Sequence, residues 1–328
     1  CSNSTRIGAT FNNTGELQVN QGNLELDSGG NSNGSFRVGA GNYLEFGGAH
    51  RLENSSSVTG AGNIQFSSDT SNIAGTYNIT GLTEINSGGA TFGGNSTVTN
   101  LKIQRGTTTF NNNQTMTNLE LAGGTLTGTG DITIDTFNWS GGTLSGSGTT
   151  TVNQELNISG GSNKFIDSRT LTNKGTGIWK STGPVLGSNG AVFNNSGSLD
   201  IQSDADWVRN SGDSPTFNNS GTLVKSGGST EGSNSTRIGA TFNNTGELQV
   251  NQGNLELDSG GNSNGNFSVG AGNSLEFGGT HALLSGYAVS GDGTVILSRS
   301  DILDVSSDGG VNFDPGTFDN KGGTFKTS

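Results

Sequence analysis

The chain has 328 residues, of which 58 are Gly and only 3 are Pro, and its net charge is −12. Hydrophobic residues make up 28% and charged residues 13%, against ~45–50% and ~25% in globular domains; the scarcity of charge and proline also argues against disorder. Lysine and arginine form no cluster, so nucleic acid is not expected as a partner. The single Cys excludes a disulfide framework and a thiolate metal site.

The first strand signals are short and come early in the chain. Residues 16–19, 23–26, 35–38 and 43–46 alternate apolar and polar side chains with period two, which is typical of half-buried β-strands. Glycine-rich turns separate these segments, and no stretch shows sustained helical periodicity. The sequence therefore predicts an all-β protein with almost no helix.

A long repeat organises the chain. Residues 2–50 recur at residues 233–281, and 45 of the 49 positions are identical. We therefore interpret residues 1–231 as one long repeat unit and residues 232–328 as the start of a second copy, continuous with the first. A catalytic centre is normally built once, whereas a copied module usually adds length or valency. The duplication thus favours a structural or binding protein over an enzyme.

A shorter period lies inside the long unit. The motif Phe-Asn-Asn-Ser/Thr-Gly starts at Phe11, Phe193, Phe217 and Phe242, and its last three occurrences are evenly spaced. Their spacing predicts a parallel β-helix (solenoid) with about 24–25 residues per coil, since each coil returns like residues to the same place. We expect these phenylalanines to stack in the core. The Asn-Asn pairs should form the bend that follows, beginning with Asn12, Asn194, Asn218 and Asn243.

Three segments carry a resemblance to known proteins. They read ATFNNTGEL from residue 9, LAGGTLTG from residue 121 and FNWSGGTLSG from residue 137. These units resemble the repeats of large bacterial secreted surface proteins, the filamentous-haemagglutinin-like and autotransporter-passenger-like β-helix adhesins. The resemblance implies a right-handed parallel β-helix that is extracellular or attached to the bacterial cell surface.

Residues suited to catalysis are sparse. His50 and His281 occupy equivalent positions in the two copies, but neither has a Ser or Cys nucleophile motif nearby. Some β-helix enzymes degrade polysaccharides with clustered Asp, and the candidate clusters here are Asp131 with Asp135, Asp204 with Asp206, and Asp301 with Asp304 and Asp308. None of them lies in a glycine-rich calcium repeat. We expect no enzymatic activity and no cofactor. A polysaccharide-degrading β-helix enzyme therefore ranks third, behind the two non-enzymatic hypotheses given below.

Surface binding and attachment have a few candidates. Tyr43 and Trp207 could stack on a sugar ring. Threonine runs at 107–109 and 149–151 are too few and too far apart to predict the Thr-x-Thr array of ice-binding solenoids. Cys1 resembles the lipid-carrying first residue of a bacterial lipoprotein, although no flexible spacer follows it; a free thiol or a fragment boundary is the other interpretation.

These observations favour a non-enzymatic structural segment of a bacterial extracellular or cell-surface fibre. Its expected partner is itself, head to tail, or further repeats of the same chain. The alternative is an adhesin that binds carbohydrate or a cell surface through one face of the solenoid.

Overall fold

Short strands and glycine turns build a parallel β-solenoid. The computed structural model describes residues 4–229, 235–307 and 311–327, and within these ranges the chain has no helix and makes about 16 turns of solenoid. The prediction of an all-β parallel solenoid is confirmed.

The chain divides into two compact units, residues 1–151 and 152–328. This division does not follow the sequence duplication. The boundary between the two sequence copies, predicted at residues 231 and 232, lies outside the described residues.

The first unit consists of short strands joined by turns of a few residues. In chain order the strands are β1 Ser4–Ile7, β2 Glu16–Val19, β3 Asn23–Leu26, β4 Gly30–Ser32, β5 Ser35–Val38, β6 Tyr43–Phe46, β7 His50–Leu52, β8 Ser57–Gly60, β9 Asn63–Phe66, β10 Thr70–Ile73, β11 Thr76–Ile85, β12 Gly89–Phe92, β13 Ser96–Ile103, β14 Thr107–Phe110, β15 Gln114–Leu121, β16 Thr125–Thr127, β17 Ile132–Trp139 and β18 Gly142–Ser145. The strand β19 Thr149–Ile158 carries the chain into the second unit.

The second unit repeats this pattern. Its strands are β20 Lys164–Asp167, β21 Thr170–Asn173, β22 Thr176–Trp179, β23 Val185–Ser188, β24 Val192–Asn195, β25 Ser198–Ile201, β26 Trp207–Ser211, β27 Thr216–Asn219, β28 Thr222–Lys225, β29 Thr236–Gly239, β30 Thr241–Asn244, β31 Glu247–Val250, β32 Asn254–Leu257, β33 Gly261–Ser263, β34 Asn266–Val269, β35 Ser274–Phe277, β36 Thr280–Leu283, β37 Ala288–Leu297, β38 Ile302–Asp304, β39 Phe313–Asn320 and β40 Thr324–Lys326.

Each strand pairs in parallel with the strand one coil further along. In β6, for example, Leu44 pairs with Leu24 on one side and with Ile64 on the other. Alternate side chains point inwards, so Leu44 and Phe46 are fully buried while Glu45 between them stays partly exposed. The interior is a narrow column, which explains how a chain with few hydrophobic residues fills its core.

The coils are shorter than predicted over most of the chain. A return of 24 or 25 residues occurs around the Phe-Asn-Asn motifs, where Phe193 pairs with Phe217 and Phe217 with Phe242. Over most of the chain the return is 18 to 22 residues; Thr107, for example, pairs with Thr125. The prediction of about 24–25 residues per coil was wrong as a general value, because it sampled coils with long turns.

Glycine is required at a corner of one of the shortest coils. Gly106 has a positive φ of 75° and precedes β14, and a Cβ there would lie 2.0 Å from the carbonyl oxygen of Gly88, one coil away. Only glycine fits this approach without strain. The corner that leads into β14 therefore depends on glycine.

Candidate functional site

Three of the motif phenylalanines form a stack in the core of the second unit. The ring centroids of Phe193 and Phe217 are 5.1 Å apart and those of Phe217 and Phe242 are 5.5 Å apart. All three side chains are buried. Phe11 lies in the first unit, where its ring is half-buried and 6.5 Å from that of Phe36.

In the three motifs of the second unit, the first asparagine forms an outer ladder rather than a bend. Asn194 and Asn218 are the third residues of their strands, so the prediction that these residues form the following bend was wrong. The side chain of Asn218 donates to that of Asn194 and accepts from that of Asn243, both at 2.9 Å. In the first unit, Asn12 accepts a hydrogen bond from a backbone N–H one coil further along.

In the second unit, the second asparagine of each motif, together with Asn173, forms an inner ladder that the sequence interpretation missed. Asn173 donates to Asn195, Asn195 to Asn219 and Asn219 to Asn244, at 2.8 to 2.9 Å. All four side chains are buried, and each also donates to a backbone carbonyl oxygen. The amide donors are thus satisfied along the ladder, and so the ladder stabilises the coils that it joins.

Trp207 is not a surface residue. Its side chain is fully buried against Phe193 and Phe217, with ring centroids 5.2 and 5.4 Å away. The proposed role of Trp207 in stacking on a sugar was therefore wrong, because an alternating strand places its first residue on the inner face here. Sequence alone could not distinguish the two faces of this short strand.

Tyr43, in contrast, lies at a surface groove of about 210 Å³ in the first unit. The other residues that line the groove are Asn23, Leu24, Glu25, Glu45 and Gln65. Glu25 and Glu45 are paired neighbours on adjacent strands. Partial burial, followed by the charge of Glu84, raises the pKa of the Tyr43 hydroxyl, which stays protonated at neutral pH. The groove thus combines an aromatic ring, a hydroxyl donor and several amide and carboxylate groups.

The two histidines are core residues. Nε2 of His50 is 3.0 Å from the carbonyl oxygen of Leu26, and Nε2 of His281 is 3.0 Å from that of Leu257. Both side chains are buried, and burial lowers the pKa of both imidazoles. Each ring is therefore neutral near pH 7 and donates from Nε2 to its carbonyl partner.

At least one aspartate of each acidic cluster binds a group of a neighbouring coil, and Asp308 lies outside the described residues. Asp131 accepts from the N–H of Thr149 and Asp301 from that of Gly279, both at 2.8 Å. Asp204 accepts from the buried amine of Lys225 at 3.1 Å. Across residues 4–229, 235–307 and 311–327, no group of three or more His, Cys, Asp or Glu residues is placed to hold a metal ion.

One sheet face of the first unit is lined with threonine, and the sequence interpretation missed it. On β12, β14, β16 and β18 the outward threonines, which we call the threonine face, are Thr91, Thr107, Thr109, Thr125, Thr127 and Thr143. The signal was present as Gly-Thr-x-Thr/Ser, which begins at residues 106, 124 and 142 in equal steps. The sequence interpretation missed this repeat because it assumed the longer coil of the Phe-Asn-Asn motifs.

The duplicated segments form the same local contacts. Asn13 donates to the carbonyl oxygen of Ser35 at 2.8 Å, and its equivalent Asn244 donates to that of Asn266 at 3.0 Å. The strands β2 and β3 of the first copy recur as β31 and β32 of the second. Several strands and contacts of the copied sequence therefore recur in both units, although Thr241–Asn244 is a strand and its counterpart, residues 10–13, is not.

These features define the class of protein: the chain is a β-solenoid repeat protein. Comparisons with protein-family models, with curated protein sequences and with solved structures give no match. Among the described residues, no helix has the length and apolar character needed to cross a membrane. Cys1, the candidate lipid anchor, lies outside the described residues.

Proposed function

We propose that the chain is a non-enzymatic structural segment of a bacterial extracellular or cell-surface fibre. The observation that carries this proposal is the duplicated segment, in which the contacts of the buried histidine and of the second motif asparagine recur in both copies. A module that is copied with its core intact extends a solenoid by whole coils. The repeat resemblance to bacterial surface proteins supports the location outside the cell.

The ladders explain how such a segment resists unfolding. Backbone hydrogen bonds join each coil to the next, and the buried Asn219 links three coils through Asn195 and Asn244. Phe217 likewise packs against Phe193 in one neighbouring coil and against Phe242 in the other. Each coil is stabilised by its nearest neighbours, so adding coils adds length without requiring a larger globular core.

In this proposal the partner is another solenoid coil, supplied by further repeats or by a second copy. The rings of Phe313, Phe318 and Phe325 pack on one another with centroids 4.8 to 5.1 Å apart, yet all three remain half-exposed. They offer an apolar surface on which the core of another coil could pack. A head-to-tail contact of this kind does not close on itself and generates a filament.

Light scattering over a range of protein concentrations tests self-association, together with negative-stain electron microscopy. We expect rods whose mass grows with concentration, and we expect Phe318→Asp to abolish that growth. The control is Thr133→Asp, a charge placed on an outward position of a central strand. A monodisperse monomer at high concentration, from a gene that encodes no further repeats, would contradict the fibre proposal.

The second candidate is an adhesin that binds carbohydrate at Tyr43. The observation in its favour is the groove, since an aromatic ring flanked by carboxylates and amides is a common way to hold a sugar. The second copy supplies the matched control, because its equivalent residue is Ser274. A glycan array probed with the chain should show a ligand that Tyr43→Ser loses. If Tyr43→Ser binds the same glycans as the unchanged chain, the groove is not the site.

A further inference from the structure

The threonine face is a regular two-dimensional array. One column consists of Thr107, Thr125 and Thr143, and the second consists of Thr91, Thr109 and Thr127. The register between these strands has no shift. Neighbouring strands are ~4.8 Å apart, and residues two apart in one strand are ~6.6 Å apart. Each hydroxyl therefore repeats at nearly fixed intervals in both directions.

The chemistry of this face is unusually uniform. In the described part of the chain, the six threonine hydroxyls have no hydrogen-bond partner within the protein. The outward positions of the four strands carry neither a charge nor an aromatic ring. A neighbouring face differs, since Lys102 and Glu120 form an ion pair of 3.2 Å there. On the threonine face itself, the threonine side chains that meet solvent offer only hydroxyl and methyl groups.

These properties restrict the ligand. An ionic ligand would need a charged partner, and a sugar chain is normally held by an aromatic platform, which this face lacks. The face instead repeats hydroxyls that have no partner in the protein, with methyl groups between them. It therefore matches a ligand that also repeats in two dimensions and whose every unit can accept and donate hydrogen bonds. On a prism face of hexagonal ice, oxygen atoms repeat at two distances in two directions. These distances are close to the two spacings of the threonines.

We propose that the threonine face binds crystalline ice. The methyl groups limit the orientations of the water molecules next to them, and the hydroxyls take the place of water molecules in the lattice. The stiff backbone ladder holds the side chains in position before binding, so little conformational entropy is lost. This activity is independent of the fibre and adhesin proposals, because it needs only the four strands of the first unit.

The test uses the full chain in three assays: incorporation into a slowly growing ice hemisphere, the shape of single ice crystals, and inhibition of ice recrystallisation. A central threonine is replaced in Thr125→Lys, which puts a long charged side chain between Thr107 and Thr143 in the middle of the array. The control is Thr133→Lys, on an outward position of β17. Circular dichroism establishes that both variants are folded.

The proposal expects the unchanged chain and Thr133→Lys to enter ice, to facet crystals and to slow recrystallisation, and it expects Thr125→Lys to lose all three effects. Exclusion of the unchanged chain from ice overturns the proposal. Equal activity of Thr125→Lys and the unchanged chain also overturns it, because the lattice match would then play no part. Cellulose and chitin pull-downs run in parallel; binding to these crystalline polysaccharides without binding to ice would assign the face to a carbohydrate surface instead.

Discussion

Removing one side chain from the inner asparagine ladder tests how much that ladder stabilises the coils. Asn219 donates to the side chain of Asn244 at 2.8 Å and to the carbonyl oxygen of Glu247 at 2.9 Å, and it accepts from Asn195 at 2.8 Å. Asn219→Ala removes these three hydrogen bonds, and a longer one of 3.3 Å to the carbonyl oxygen of Gly221, from a position that is 1% exposed. A neutral hydrogen bond contributes ~0.5–1.5 kcal/mol net, so the local free energy of unfolding should fall by ~2–4 kcal/mol.

The neighbouring residue provides the control. Asn218 forms two ladder hydrogen bonds at 2.9 Å, but its side chain is only half-buried and water can replace its partners. Asn218→Ala should therefore cost less than ~1 kcal/mol. The two variants remove the same side chain from adjacent positions of one strand, so they differ mainly in burial.

Native-state hydrogen exchange on the amides of β24, β27 and β30 is the appropriate measurement, since solenoid coils open locally rather than all at once. Asn219→Ala should accelerate exchange in all three strands, and Asn218→Ala should have a small effect. Equal effects of the two substitutions, or a larger effect of Asn218→Ala, would refute the argument that burial sets the strength of the ladder.

Three further predictions concern the core. Phe217→Ala should lower local stability by ~3–5 kcal/mol, and the same change at the half-buried Phe11 should cost less; hydrogen exchange again measures both. Burial lowers the pKa of His50 and His281 below 6.5, so the unfolded chain binds more protons than the folded one as pH falls below 6.5. The free energy of unfolding, measured in urea titrations, should therefore decrease over that range. The decrease should be smaller in a variant with both histidines changed to Gln. Burial likewise lowers the pKa of Lys164 to about 8, so stability should rise from about pH 8 towards pH 10.5, a rise that Lys164→Met should reduce.

The architecture could be predicted because short sequence patterns specify both the strands of the solenoid and their stacking. Period-two alternation specifies strands, and the return of the Phe-Asn-Asn motif specifies parallel stacking, since like residues meet only when each strand lies above the previous one. The coil length could not be inferred from a single motif. Turns differ in length from coil to coil while the strands stay in register, as the short step from Thr107 to Thr125 and the longer step from Phe217 to Phe242 show.

Which face a residue occupies was harder to predict than the strands themselves. In Asn218-Asn219 two identical side chains follow one another, and only the register decides that the second is buried. Trp207 begins a strand with its ring inside, whereas Tyr43 begins a strand with its ring at the surface. A strand of four or five residues contains too few alternations to fix its inner face without its neighbours.

The four differences between the duplicated segments show where this protein can acquire specificity. None of the changed positions is buried in either copy; the pairs are Ser35 and Asn266, Arg37 and Ser268, Tyr43 and Ser274, and Ala49 and Thr280. The inward residues must keep their shape because each contacts its counterparts one coil above and below, so a change there disturbs several coils at once. An outward side chain carries no such constraint. A binding site on a solenoid of this kind can therefore arise on one copy alone, which is what the adhesin proposal expects of the groove at Tyr43, while the inward residues beneath it stay unchanged.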